Sequence, residues 1–505
     1  MALETLQTSQ DINLKMKKEQ ERAPLFEALR DYLRKNMAPF HTPGHKQGNG
    51  IDPEFLDLVG KNIFGIDLTE LPEVDNLHDP DGVIKEAHEL AADAYGADYS
   101  FFQVNGSTGG NNAMIMSVCD PGDKIIIPRN AHKSVIGGII LSGAVPIYVQ
   151  PVWDIELGIA HGITPDGVEE ALKNHPEAKG VLVVNPTYYG STTDIKQIVQ
   201  ICHRYGKPCL VDEAHGPHLK FHPYLPISAL EAGADMVIQS THKIISGMTQ
   251  SSILHIKEGL VNVKRVRNVL QILQTTSPSY VLMASLDVAR RQMYLYGYEL
   301  LDRTIKLAQT ARKLLNQIPG IKCFGKEKCG RKGLFDLDVT KLTINVSDLG
   351  ISGFEFIDRL NEEYNIQSEM ATLTNALEIV SIGNTEEDID RLVFAIKDLS
   401  EKIRQENRTN NNHLLKESPP LPELPEAVIT PREAFFAPTK RIPFALSSGQ
   451  ICAEIVAPYP PGIPILTPGE RITQPIVEYL QIIHKHGGFI NGPEDIRLRT
   501  IKVVV

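Results

Sequence analysis

Short apolar runs rich in β-branched residues recur between about Glu86 and Gly247: SFFQV (100–104), KIIIP (124–128), VPIYV (145–149), GVLVV (180–184), PCLVD (208–212) and DMVIQ (235–239). Each is bounded by polar or turn-forming residues and followed by a segment of helical length. Such runs predict strands buried on both faces, and the helical connections predict right-handed crossovers into a mostly parallel sheet. One uncharged stretch, Ser134 to Trp153, has the length of a membrane span, yet Gly137, Gly138, Gly143, Pro146 and Pro151 interrupt it. It reads instead as helix, turn and buried strand.

A second region opens at Leu301 on a long amphipathic helix and continues through KLTINV (341–346) and ALEIVSIG (376–383), the pattern of a smaller α/β domain. The polar and then proline-rich ENRTNNNHLLKESPPLPELPE (406–426) has the composition of an exposed linker. The expected organisation is an α/β protein with a flexible, charged N-terminal arm (1–24), an N-terminal segment and large domain (25–300), a small domain (301–405), the linker, and a Pro- and Gly-rich C-terminal domain (427–505).

Composition narrows the function classes. A chain of 505 residues, 42% hydrophobic and 22% charged, is an ordinary globular protein of several domains. Its net charge of -11 offers no clustered positive charge to nucleic acid or an anionic membrane, so neither is an expected partner, whereas a small cationic substrate suits it. Six cysteines without close CxxC pairs suggest neither zinc nor a disulfide framework, and no metal is expected. The polar N-terminus lacks the apolar core of a signal peptide, which implies a cytoplasmic protein.

Ligands of open parallel sheets bind beyond the carboxyl ends of the strands, so the residues just after each run carry the candidate chemistry. After SFFQV come Asn105-Gly106-Ser107-Thr108-Gly109-Gly110 and a helix-like AMIMSV. A glycine turn that opens a helix offers N–H groups and a positive dipole end to a phosphate, although the same turn also joins strands to helices for steric reasons. After PCLV comes Asp212-Glu213-Ala214-His215-Gly216, an acid at a strand end that is either the partner of a cofactor's ring nitrogen or a helix N-cap. After DMVIQ comes Ser240-Thr241-His242-Lys243. A lone lysine there is usually solvated. Together, the three supply the amine nucleophile, the acid and the anion site that aldehyde-cofactor chemistry requires.

In this order the motifs resemble the fold-type-I pyridoxal-phosphate enzymes, the aspartate-aminotransferase-like superfamily. FHTPGHKQG (40–48), IPRNAHKS (127–134), VDEAHG (211–216), STHK (240–243) and PYPPGIPILTPGE (458–470) further resemble the Orn/Lys/Arg decarboxylase family, in particular its short biosynthetic arginine-decarboxylase-like members, from about Leu25 to the C-terminus. The receiver-like N-terminal domain of the large inducible members is not expected here. The resemblance implies pyridoxal 5'-phosphate as cofactor, held covalently by Lys243, with Asp212 beside its ring nitrogen, His132 stacked on the ring and His215 near it. Gly106, Ser107, Thr108, Ser240 and His242 are implied as ligands of the phosphate or neighbours of the lysine. Many relatives have Thr-Ser where this chain has Ser107-Thr108, so which hydroxyl meets the phosphate stays open.

The loop Thr275-Thr276-Ser277-Pro278-Ser279-Tyr280 resembles the segment that crosses to a neighbouring subunit's phosphate site. Thr276 and Ser277 are then expected to serve a shared site in a homodimer or higher even-numbered homo-oligomer; an ordinary Ser/Thr-Pro turn is the alternative. The implied reaction is decarboxylation of a basic amino acid, L-arginine to agmatine and CO2 on the route to putrescine and spermidine, with lysine or ornithine as competing substrates. Lys243 or His132 would return the proton. Glu454 and Glu470 are candidates for the substrate's side-chain cation, which needs a carboxylate if buried, or are interdomain salt-bridge partners. An aminotransferase on the same fold and a homologue without turnover are the rival classes.

Overall fold

Seven strands, β1 (Tyr99–Gln103), β2 (Lys124–Pro128), β3 (Val145–Val149), β4 (Val181–Val184), β5 (Cys209–Asp212), β6 (Met236–Ser240) and β7 (Ser252–Ile256), form one sheet in the order β1-β7-β6-β5-β4-β2-β3. The computed structural model that shows this describes residues 19–410, 421–459 and 462–505. All neighbours from β6 to β3 are parallel, while β7 is antiparallel to both β1 and β6. The mostly parallel sheet is thus as the pattern predicts, and β7, the segment SILHI, is the strand that lies past the last predicted run.

Side chains alternate along the strands. Ile126, Val183, Val211 and Val237 enter one apolar layer, and Ile125, Leu182, Leu210 and Met236 enter the other. Both faces are covered by helices, which is why these strands read as continuous apolar runs. Helix α1 (Gly106–Val118) lies so close to the sheet that a Cβ on Gly110 would stand 2.2 Å from Ile238 Cδ1. Only glycine allows that approach. Helix α2 (Lys133–Ser142) starts on His132 as its N-cap and ends at Gly143 before β3, so Ser134 to Trp153 is indeed helix, turn and strand.

Helix α3 (Tyr280–Leu315) runs unbroken through position 301, so the boundary expected there falls inside one helix. The small domain has four antiparallel strands, β8 (Lys322–Cys323), β9 (Lys341–Asn345), β10 (Met370–Ala371) and β11 (Asn375–Ile379), in the order β8-β9-β11-β10. They pack against the helix Gly353–Tyr364 and α4 (Glu386–Asn410). Helix α4 takes in 406–410, the start of the expected linker, and 411–420 lie outside the described residues. The pairing of Asp336–Leu337 with Ser191–Thr192 ties the small domain to the large one, and within the small domain buried Arg312 of α3 donates to the carbonyls of Phe324, Val339 and Lys341 at 2.9, 3.1 and 2.6 Å.

Of the expected arm, 1–18 lie outside the described residues, but 19–24 are docked: Gln20 is buried and its carbonyl accepts from Arg290 at 3.0 Å. Arg290 is itself buried and paired with Asp287 at 2.6 Å, and Asp287 also takes the N–H of Leu25 at 3.0 Å. The polar start of the chain therefore satisfies a buried ion pair, a role that apolar periodicity does not register. The C-terminal domain packs helix α5 (Gln474–Lys485) over two strand pairs, Thr439–Pro443 with Thr500–Val504 and Ala457–Tyr459 with Phe489–Asn491. Among the described residues no helix is long and apolar enough to cross a membrane.

Candidate active site

The carboxyl ends of β1, β2, β4, β5 and β6 surround one cavity of about 240 Å³. Ser107 enters it from the first turn of α1, His132 from the N-cap of α2, Asp212 from the last residue of β5, and Lys243 from the one-turn helix Thr241–Ile244 after β6. Gly106, Thr108, His215, Ser240 and His242 also line it. The strand-end reading thus brings together residues from four separate motifs.

Lys243 Nζ lies 2.7 Å from His215 Nε2 and 5.5 Å from the centre of the Tyr188 ring, and the Tyr188 and His215 rings meet edge to face at 4.7 Å. Burial lowers the pKa of Lys243 below the ordinary lysine value, with the charges of Asp212 and Glu369 resisting the change. The amine therefore sheds its proton more readily than an exposed lysine, as a nucleophilic amine must. Burial also holds His215 well below the ordinary histidine range, and the charges of Lys243 and Lys341 push the same way. A neutral His215 can accept the Lys243 N–H through Nε2.

Asp212 is anchored by both oxygens: Oδ2 accepts from Asn111 Nδ2 at 2.8 Å and Oδ1 from the Ala214 N–H at 3.1 Å. Asn111 Nδ2 also donates to Ser134 Oγ at 3.0 Å, and Ser134 Oγ is 2.8 Å from His132 Nδ1. One chain of hydrogen bonds therefore orients the acid and the imidazole together. Burial pushes His132 down to about 4, against the charge of Asp212 and with those of Lys243 and Lys133. It is uncharged at neutral pH.

Ser107 Oγ bonds to Ser240 Oγ at 2.7 Å and Ser252 Oγ at 3.1 Å, while Thr108 is exposed at the rim. His242 Nδ1 donates to the Ser251 carbonyl at 2.9 Å. Hydroxyls and helix N–H groups at one end, an anchored carboxylate at another, a neutral imidazole and a desolvated amine form a donor set that fits a phosphate-bearing aromatic aldehyde.

Four expected residues lie elsewhere. Thr276 and Ser277 are exposed, and Ser277 Oγ bonds to Thr275 Oγ1 at 3.1 Å, on a groove shared with Phe55 and Val59 rather than in the Lys243 cavity. Glu470 forms a fork with Arg129, Oε2 to Nη2 at 3.0 Å, and takes the Thr467 N–H at 2.7 Å. Glu454 accepts the N–H groups of Glu494 and Lys502, both at 2.8 Å. Of the two expected roles, Glu470 thus takes the interdomain salt bridge, while Glu454 binds N–H groups within the C-terminal domain. His45, in the first motif, pairs with Asp67 at 3.1 Å.

Sequence reasoning missed Asn111, Ser134, Ser252, Tyr188 and Glu369. Asn111 was findable, since it follows Ser107 by one helical turn and so shares its face. Glu369 gave no local signal. It is exposed beside β10, its carboxylate has no hydrogen bond among the described residues, and its charge raises the pKa of Lys243, His242 and Lys341.

Residues 23–388 match the family described as Orn/Lys/Arg decarboxylase, major domain, and 415–492 match its C-terminal domain. The arginine decarboxylase of Bacillus anthracis is 48% identical over 485 residues, spanning 96% of this chain and 98% of that protein. The arginine decarboxylase of Bacillus subtilis (strain 168) is 47% identical over the same shares. Among solved structures, the lysine decarboxylase LdcF of Francisella novicida superposes with a TM-score of 0.79 at 26% identity, over 95% of this chain and 81% of that one.

Proposed function

The chain belongs to the Orn/Lys/Arg decarboxylase family, and from that premise we propose that it converts L-arginine to agmatine and CO2, using pyridoxal 5'-phosphate bound at Lys243. The observation that carries the reading is the convergence of the Lys243 amine and the doubly anchored Asp212 carboxylate on one cavity. When bound, the cofactor supplies an electron sink for the pair released as the carboxylate leaves. Everything else falls to the chain. Asp212 holds a proton at the ring nitrogen, and uncharged His132, fixed through Ser134, gives the ring a surface to rest on. Ser107, Ser240 and the N–H groups of α1 hold the phosphate, and His242 closes the lysine's surroundings. Lys243, with Nζ oriented by His215, carries the proton to the substrate's α-carbon.

A guanidinium brought into this cavity unpaired would be costly, so a carboxylate should meet it. Glu369 suits that role, because its charge reaches Lys243 and its oxygens are not committed among the described residues. Arginine is favoured over lysine by the relatives named for it, which are about half identical to this chain, against LdcF at 26%. A homodimer belongs to the same reading: exposed Thr276 and Ser277 would complete the partner's phosphate site, with the exposed apolar side chains Phe55 and Val59 on the groove of Ser277. So does a place in the cytoplasm and in polyamine supply.

The test is an assay of the purified, cofactor-loaded protein with L-arginine, L-lysine and L-ornithine, following CO2, amine and kcat/KM. Agmatine and CO2 in equal amounts, without a keto acid, are expected. Turnover that requires a keto acid and releases no CO2 would replace the reading with an aminotransferase, and a higher kcat/KM for lysine or ornithine would replace the substrate.

A further inference from the structure

The large, small and C-terminal domains meet around a second cavity, of about 120 Å³. The large domain contributes Asn130, Trp153 and Tyr189 to its wall, the small domain Leu373, and the C-terminal domain Ile463 and Tyr479. It shares no lining residue with the Lys243 cavity, although Tyr189 follows Tyr188 and Asn130 precedes His132 by two positions. Domain junctions are a preferred place for small-ligand sites, which are mostly apolar with a few placed polar groups.

The polar groups on this wall lack partners. Asn130 is buried; its Nδ2 donates to the His161 carbonyl at 3.0 Å, which fixes the amide, and its Oδ1 accepts nothing among the described residues. Trp153 Nε1 is shielded from solvent and donates to nothing there either. The hydroxyls of Tyr189 and Tyr479 likewise take part in no hydrogen bond among the described residues. Buried polar groups of folded proteins are nearly always paired, so an unpaired acceptor and an unpaired donor on one small cavity call for something to pair them.

The wall also states what that partner must be. Arg129 lines the cavity, but its guanidinium is taken up by Glu470 and the Ile465 carbonyl, and Glu423 stands exposed to solvent. Burial raises the pKa of both phenols, that of Tyr479 to about 12, so neither ionises near neutral pH. An ion would therefore give up its water without meeting a free counter-charge. A wholly apolar ring would leave Asn130 Oδ1 and Trp153 Nε1 unpaired. An apolar cavity of about 150 Å³ holds a benzene ring, so this one is of the size for a single ring, with Trp153, Tyr189 and Tyr479 as its aromatic surroundings.

We propose that this cavity is a binding site for a neutral, single-ring heteroaromatic amide, whose N–H meets Asn130 Oδ1 and whose carbonyl meets Trp153 Nε1. A ring lactam such as uracil and a ring carboxamide such as nicotinamide share that chemistry. Bound there, either ties the three domains together at a place separate from the chemistry at Lys243.

The experiment uses the full-length, cofactor-loaded protein. Trp153 is the only tryptophan of the chain, so 15N-tryptophan labelling gives one indole Nε1–H signal, and that signal reports from the cavity wall. It is followed by NMR, with calorimetry alongside, as uracil or nicotinamide is added; toluene and benzoate serve as the apolar and the anionic ring. At least one amide should bind with a Kd below about 1 mM, move the Nε1–H signal and raise Tm, and the one that does so identifies the kind of amide. Toluene and benzoate should bind at least about tenfold more weakly, and Asn130→Leu, which removes the acceptor, should weaken the amide by about tenfold. Lys243→Ala should leave amide binding unchanged. If neither amide moves the signal, the cavity holds water only and the proposal is overturned. Toluene or benzoate binding as tightly as the amides overturns it too, as does amide binding that is lost in Lys243→Ala and so belongs to the other cavity. If Asn130→Leu does not fold, Ile463→Phe, which adds bulk to the wall from a half-buried position, is read in the same way.

Discussion

The fork between Arg129 and Glu470 joins the loop that ends on His132 to the C-terminal domain. Both terminal nitrogens of Arg129 reach Glu470, Nη2 also donates to the Ile465 carbonyl at 2.8 Å, and the guanidinium lies 4.7 Å from the centre of the Tyr148 ring. The two side chains are 10% and 3% exposed, so neither charge is served by water. Glu470→Ala would leave a buried guanidinium without its counter-charge, which costs about 3–5 kcal/mol. Arg129→Met combined with Glu470→Leu removes both charges and should recover most of that loss, to within about 1–2 kcal/mol of wild type, because an apolar pair of similar volume often replaces a buried ion pair at little cost. Urea unfolding of Arg129→Met, Glu470→Leu and the double variant closes the cycle. Kinetics on the folded Glu470→Ala protein separate this role from substrate binding. With a structural fork, KM for L-arginine stays within about threefold, and any loss appears in kcat through the nearby His132. If Glu470 instead held the guanidinium, the loss of a charged hydrogen bond of about 1.5–3 kcal/mol would raise KM by about tenfold or more with little change in stability. That pattern would refute the argument.

Lys243→Ala should abolish turnover while circular dichroism and the unfolding midpoint remain near wild type, and measurable decarboxylation in this variant would remove Lys243 from its role. Glu369→Gln should lower kcat/KM for L-arginine by about tenfold to a hundredfold, the equivalent of one charged hydrogen bond, with Tm unchanged because the side chain is exposed; unaltered kinetics would free Glu369 from the substrate. Glu213 is fully buried between the Ala229 N–H and Gln239 Nε2, at 2.7 and 2.6 Å, and burial raises its pKa to about 8. The folded chain then keeps a proton that the unfolded chain gives up near the ordinary glutamate value, so stability falls as pH rises from about 4.5 to 8, by on the order of 5 kcal/mol at full effect. Glu213→Gln should therefore raise Tm more at pH 8 than at pH 5, and an equal change at both would contradict that linkage.

Much of the site was legible because its parts sit at the ends of apolar runs. Lys243, Asp212, His132 and Ser107 each follow a strand whose pattern needs only its own residues to be read, and the parallel sheet then brings those ends together. Strand β7 escaped because it follows Lys243 and returns antiparallel, outside the regular alternation of strand and helix. With it went Ser252, whose hydroxyl reaches Ser107 only because β7 sits between β1 and β6. Glu454 and Glu470 were legible as substrate contacts or interdomain salt-bridge partners but not as to which, since nothing near them in the chain names Arg129 or the N–H groups of Glu494 and Lys502.

The amino-acid sequence by itself determined the α/β class, the strand ends and which amine and acid stand at them, because strand burial and turn geometry depend on residues a few positions apart. The tertiary structure alone decided which distant charges meet, as Glu470 does with Arg129, 341 positions away in the chain. The physical reason is that a charge pair depends on distance and on the exclusion of water, and both are set only when whole domains have packed against one another.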